Sequence, residues 1–309
     1  MLRFSTSFAI VFLLLTGTGF EPNLCHGQNK DQKAAKKDPL MGRRVMTVEW
    51  GAEFKLGKDV VGIVELGKVF TVDGAKGNWY HFRGKHGWMK NEFFLPLEQA
   101  VSHFTKEINE SPEAKNYHHR GIAWRERGEF SKAIKDIETA IEINGEEPSY
   151  YNSLGTVYHR QKDFKKAREY YNKALEMSPN NIGFMNNRGI ASRELGQFDE
   201  ALKDFDEAIK LAPNYAYAYG SKAWLFATAK DKSQWDAEKA VSLAKTACEL
   251  TKWKEDDLLG TLAAAYARAG DFEQAQRWLK SAITINPDKY PELRQAMKRS
   301  FDQKMAFAR

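Results

Sequence analysis

Apolar residues in the central stretch of the chain recur at spacings of three and four, one face of a helix at a time. Tyr151, Leu154, Gly155 and Tyr158 fall on one such face, and Ala167, Tyr171, Ala174 and Leu175 on another, with a break near Asp163 between them and Pro179 closing the second. The pattern then repeats. Gly121, Gly155 and Gly189 are 34 apart, as are Ala133, Ala167 and Ala201, the trio Ala140, Ala174 and Ala208, and the prolines Pro179 and Pro213. A repeat of this length, too small to bury its own apolar face, predicts stacked helix pairs sharing one continuous core. Glycine on one helix and alanine on the other let the two backbones approach at their crossing.

These residues resemble the tetratricopeptide repeat (TPR): the small residue at 121, 155 and 189, the aromatics Trp124 and Tyr158, the alanines at 133, 167 and 201, then Tyr171, Phe205 and the closing prolines. Ser192 takes the place of the first-helix aromatic in one unit, and Gly145 that of a closing proline. The resemblance implies an all-α solenoid, a right-handed superhelix of helix pairs. Units are expected over residues 114–147, 148–181 and 182–215. The period then slips, because Ala201 to Ala240 is 39 residues and Ala240 to Ala275 is 35. This gives a fourth unit over 216–254 with an enlarged turn holding Trp235, a fifth over 255–289, and a closing helix over 290–309 with Arg294, Lys298, Arg299 and Lys304 on its outer side.

Upstream the period changes from helical to short. Val45 to Val48, Val60 to Val64, Val69 to Val72, Trp79 to Phe82 and Gly87 to Met89 are β-prone runs separated by glycine turns. Five strands in so few residues predict a small all-β barrel over 40–96. The Gly67 turn, the Trp79 strand and the Gly87-Trp88 pair resemble a bacterial SH3-like domain. Domains of that kind bind peptidoglycan or proline-rich segments through aromatic surfaces, to which Trp50, Trp79, Tyr80 and Trp88 could contribute. A domain this small needs large side chains to fill it, so Trp79 and Trp88 are read as core and Trp50 as freer. Between barrel and repeats, residues 97–113 carry Ala100, Phe104 and Pro112 at the spacing of Ala167, Tyr171 and Pro179. They read as the second helix of a unit without its first, joining the two domains.

Residues 1–27 have a secretory layout, with Arg3, an unbroken apolar run from Phe8 to Leu15 and small residues after it. Cleavage is expected after Gly27, with the Gly17 to Gly19 region as the alternative. Pro22, Asn23 and Leu24 do not place leucine three residues ahead of Cys25, so a lipid anchor is not expected. The expectation is a bacterial protein exported to the periplasm or secreted, with Cys248 as its single remaining thiol and no internal disulfide. Residues 28–39, with Lys30, Lys33, Lys36 and Lys37, read as a disordered basic linker, or less directly as a tether to anionic lipid or wall polymer.

Among 309 residues, 47 basic and 41 acidic side chains leave a net charge of +6. Spread along helices, that balance reads as solvated faces and not as a nucleic-acid footprint. No HExxH, CxxC, phosphate loop or nucleophile elbow occurs, and no third ligand accompanies His118 and His159, so neither catalysis, a metal nor a cofactor is expected. In tetratricopeptide proteins the first helices line a concave groove for an extended peptide or partner helix. By repeat position that groove would hold Lys115, His118, Arg125, Asn152, His159, Asn186 and Arg193, then Tyr217, Gly220, Trp224, Ala264 and Ala267. A polar, basic half followed by an aromatic half suits a peptide with acidic or amide groups and an apolar anchor. The chaperone-tail carboxylate clamp does not fit, because His118, Ile122, Ser153, Gly183 and Asn187 occupy its places. Trp50 and Trp235 are candidates for a second surface. The expectation is a protein-binding scaffold, with peptidoglycan association through the barrel as the alternative.

Overall fold

A computed structural model describes residues 38–307, apart from residues 50, 51, 65, 66, 84, 86, 230 and 288. The expected leader over 1–27, the stretch 28–37 and Trp50 lie outside the described residues.

Seven strands form the first part: β1 (Arg44–Thr47), β2 (Ala52–Leu56), β3 (Asp59–Val64), β4 (Val69–Lys76), β5 (Trp79–Phe82), β6 (Trp88–Lys90) and β7 (Phe94–Pro96). They make one antiparallel sheet in the order β3-β2-β6-β5-β4-β1-β7. Two strands beyond the expected five are present. β2 reads Ala-Glu-Phe-Lys-Leu, with charges between its apolar positions and no β-branched residue, and β7 is three residues ending in proline, so neither carries a strong strand signal.

Alternation along β5 and β6 decides what fills this domain. Tyr80, Phe82 and Met89 point inward, where Phe82 packs edge-on against Phe94 at 5.2 Å and against Phe54 at 5.7 Å. Trp79 and Trp88 therefore point outward and are partly exposed, which corrects the expectation that they form the core. The phenylalanines do that work, and a residue's parity on its strand overrides its size.

Twelve helices follow. α1 (Leu97–Glu110) leads into five antiparallel pairs: α2 (Ala114–Glu126) with α3 (Phe130–Ile143), α4 (Pro148–Arg160) with α5 (Phe164–Met177), α6 (Ile182–Glu194) with α7 (Phe198–Leu211), α8 (Ala216–Thr228) with α9 (Ala237–Leu250), and α10 (Asp256–Arg268) with α11 (Phe272–Ile285). α12 (Pro291–Asp302) covers the last pair. Among the described residues, no helix is long and apolar enough to cross a membrane. The first helices α2, α4, α6, α8 and α10 also pack on one another in succession, which makes one continuous face of them.

Small residues set the crossing within each pair. A Cβ on Gly155 would stand 2.7 Å from the Tyr171 ring, and one on Gly189 2.6 Å from the Phe205 ring, closer than carbon atoms pack. Aspartates cap several second helices: Asp163, Asp236 and Asp271 accept from the backbone N–H three residues on.

The sheet domain meets the helices through a small apolar cluster. Met46 of β1 joins Leu97, Ala100 and Phe104 of α1 and Ala123 of α2. Arg44 pairs with Glu126 at the end of α2. At the other end of the array, Arg83 donates to the Asn286 side chain and Lys85 Nζ stands 3.7 Å from Glu255. One sheet domain thus touches both the first and the last helix pair.

In four of the five pairs the turn between the helices has one left-handed residue at a fixed place. Gly128, Gly196 and Gly270 supply it with φ of 80°, 77° and 82°, while Lys162 sits there at 64° with a side chain to accommodate. Lys162→Gly is expected to stabilise the protein by about 1 kcal/mol and Gly196→Lys to destabilise it by about as much, read from chemical denaturation.

Candidate functional site

The first-helix face carries two rows of polar side chains. In the first, residues one repeat and one position apart join neighbouring helices: His118 Nε2 lies 2.8 Å from Ser153 Oγ, and Asn187 Nδ2 donates to Asn152 Oδ1 at 2.9 Å. In the second, charges alternate. Glu126 is ringed by Arg125 (2.9 Å), Arg160 (2.6 Å) and Arg44 of β1, and Arg193 pairs with Glu194 at 2.6 Å. Burial alone would push the Glu126 carboxyl up, but the summed charge of Arg125, Arg160 and Arg44 outweighs it and holds it below the usual carboxylate range.

Several residues expected to face a ligand are closed off. His118 is 7 % exposed, its ring tilted against that of Tyr150 at 4.6 Å, and Asn186 is 6 % exposed with its Oδ1 unpartnered among the described residues. Arg125 and Arg193 have side chains 15 % and 12 % exposed, held against neighbouring glutamates. Trp224 packs into the core of the last repeats, with the Phe307 ring 6.2 Å away. Trp235, offered as a second surface, instead lies under the Arg268 guanidinium at 3.4 Å and donates its indole N–H to the Ala229 carbonyl at 2.7 Å. A long turn anchored at both ends folds its aromatic residue inward.

Others remain accessible. Lys115 is exposed beside Glu113 at 2.8 Å, Asn152 and His159 are half-buried with the His159 ring against Phe164 at 5.2 Å, and Tyr217 is 39 % exposed. Arg160 was not singled out from the sequence, yet its side chain is 41 % exposed in the same row. A signal for it exists. Arg125-Glu126 and Arg193-Glu194 are the same dipeptide two repeats apart, and His159-Arg160 falls between them.

Two ion pairs also escaped the sequence reading. Arg120 grips Asp136 with two bonds of 2.7 Å, and Arg188 grips Asp204 with bonds of 2.9 and 2.6 Å, each joining the helices of one pair. Arg120 and Arg188 occupy the repeat position that Leu154 fills between them. Cys248 is buried, and burial, reinforced by Glu249, pushes its thiol up to about 12, which leaves it unreactive.

A profile of the tetratricopeptide repeat matches residues 148–181 and 184–215, and a second profile of the same repeat matches 258–281. These segments are tetratricopeptide repeats. No curated protein matches the chain. Among solved structures, the chain is similar in fold to TTC0263, a TPR protein of Thermus thermophilus, with a TM-score of 0.52 and 17 % identity over 62 % of this chain and 98 % of that one. It is also similar to a chain of the APC/C hetero-tetramer Cut9–Hcn1 (0.56, 14 %, covering 66 % and 39 %) and to yeast Tom70 (0.51, 19 %, covering 66 % and 42 %). Proteins built of these repeats are generally protein-interaction scaffolds.

Two measurements follow from the buried polar groups. Arg188→Ala leaves the nearly buried Asp204 carboxylate without its partner and is expected to cost about 2 kcal/mol, less than a fully buried pair because Arg188 keeps some solvent contact; Arg188→Leu with Asp204→Leu recovers most of that loss. His119, buried with Nδ1 unpartnered among the described residues, has its pKa lowered to about 4, by burial first and then by Lys115. The unfolded chain therefore takes up this proton first as pH falls through 6.5, and stability drops between pH 6.5 and 4. Between pH 6.5 and 5 the wild type should lose about 2 kcal/mol more than His119→Gln in urea denaturation.

Proposed function

We propose that the chain is a non-catalytic scaffold of the bacterial envelope, exported by its N-terminal segment, that holds an extended peptide or a partner helix on the first-helix face. The observation that carries this is that an amide, Asn152, a cation, Arg160, and an aromatic ring, Tyr217, all stay accessible on the first helices α4 and α8. The row around Glu126 and Glu194 holds four arginines, Arg44, Arg125, Arg160 and Arg193, against two carboxylates. Arginines on one part of the face and an aromatic ring on another, the latter beside Glu255 and Asp257, favour a peptide carrying Asp or Glu at a distance from an apolar side chain.

The sheet domain fits an SH3-like reading. β1 pairs with both β4 and β7, a short 3₁₀ turn at Asn91–Phe93 precedes β7, and the β2–β3 hairpin reaches across to β6. Export is supported by Arg3 and the apolar run from Phe8 to Leu15.

Peptides selected from a random display library on the full chain should be enriched in Asp or Glu at a distance from an aromatic or aliphatic residue. Their affinity by fluorescence polarisation should fall about tenfold with Arg160→Glu and about tenfold with Tyr217→Ala. Peptides that bind equally well to both variants would place the contact elsewhere and end this reading.

A further inference from the structure

Tyr217, Gly220 and Trp224 stand on one side of α8, at spacings of three and four, but Tyr217 is open and Trp224 is partly covered. The cover is the chain's own Phe307, whose ring centroid lies 6.2 Å from that of Trp224 with the planes at 51°. Phe307 belongs to no helix. α12 ends at Asp302, and the chain leaves it through a turn in which the Met305 N–H donates to the Ser300 carbonyl at 2.8 Å and the Lys304 N–H to the Phe301 carbonyl at 3.0 Å. Lys304 is left-handed there, with φ of 54°, a conformation glycine takes more readily. Residues 305–307 then run without regular structure from α12 back to α8, past α10, which packs on both.

The surface of α10 is low along this path. Gly260 and Ala264 hold the repeat positions that Gly220 and Trp224 hold on α8. A Cβ on Gly260 would meet nothing within 4 Å, while Ala264 and Ala267 are buried in the apolar cluster against which both Trp224 and Phe307 pack. The rest of the segment is loosely held. Lys304 and Met305 are exposed, Met305 at 50 %, and among the described residues no ion pair or side-chain hydrogen bond ties 304–307 to the array.

We propose that Trp224 and the small residues of α10 form a binding site for an extended segment carrying an aromatic side chain, which residues 304–307 fill as a built-in ligand until such a segment displaces them. The occupant already seated defines the chemistry: one aromatic ring on a non-helical chain, held by apolar contact. A ring held without polar bonds exchanges readily for another of similar size. Once vacated, Trp224 joins Tyr217 on one accessible side of α8, about 10 Å further along the helix. Displacement by a partner rests on the reading of the first-helix face as a peptide site; the seating of the chain's own segment does not.

The probe is a fluorescein-labelled peptide of residues 302–309, read by fluorescence polarisation. It should bind the chain shortened to end at Gln303, and equally the full chain carrying Phe307→Ala. The unaltered full chain should bind it at least about tenfold more weakly, because a short tether holds the resident segment at an effective concentration on the order of millimolar. Phe307→Ala in the peptide, which leaves the protein as it is, should weaken binding about tenfold or more, and so should Trp224→Ala in the shortened chain, with its fold checked by circular dichroism. No binding to either opened chain, equal binding to opened and unaltered chains, or indifference to the phenylalanine in the peptide overturns the proposal. Display-selected peptides should gain about tenfold in affinity on Phe307→Ala. Selected peptides that respond to Arg160→Glu but not to Phe307→Ala would overturn displacement at Trp224 and leave the peptide reading standing. A resident peptide that binds where no selected peptide does would end that reading and leave the seated segment in place.

Discussion

Everything in the helical part depends on how closely two helices of a pair can cross. At Gly121, Gly155 and Gly189 a single added carbon would meet Ile137, Tyr171 or Phe205 at 2.6 to 2.7 Å. That close approach brings Ala133, Ala167 and Ala201 to full burial, and it sets the tilt at which each pair offers its first helix to the next. The polar rows on the first-helix face inherit their spacing from these crossings. His118 reaches Ser153 and Asn152 reaches Asn187 because the repeat delivers each helix at the same distance from the last.

The repeat was legible in the sequence because packing constrains its small residues directly, and a constraint that recurs in register is hard to mistake. The face was less legible. Position within a repeat says which side chains point toward the first-helix surface, but not which the chain then covers with its own parts. Trp224 has the right position and is met by Phe307, from far along the chain; His118 has the right position and is used to tie two repeats together. Contacts of that kind depend on where the array's ends lie, which no local pattern encodes. In the sheet domain the error was of another sort. Trp79 and Trp88 looked like filling by size, and strand parity turned them outward while Phe54, Phe82 and Phe94 closed the core.

The sheet domain also changes what the array can be. A solenoid of this length, contacting only its neighbours along one dimension, bends and stretches with little resistance. Here Met46 and Arg44 hold the first pair while Arg83 and Lys85 reach the last, so a second body spans the array from end to end. The two fastenings differ in kind. The first combines buried apolar contact with an ion pair, and the second is polar and partly solvated, so the last pair is the end that yields first under load.

The arginine–aspartate forks of the first and third pairs have a bearing on assembly. Helices written on one template can pair out of turn, a first helix finding the second helix of the wrong unit while the chain is still collapsing. Displacement by one unit would set Asp136 or Asp204 against Leu154, a nearly buried carboxylate facing a hydrocarbon side chain, which is strongly unfavourable. Displacement by two units would meet no such barrier, since both forks are spelled alike. The alternation of charged, apolar and charged units across the first three pairs therefore acts as a proofreading mark, one that catches the commonest slip there and is blind to the next.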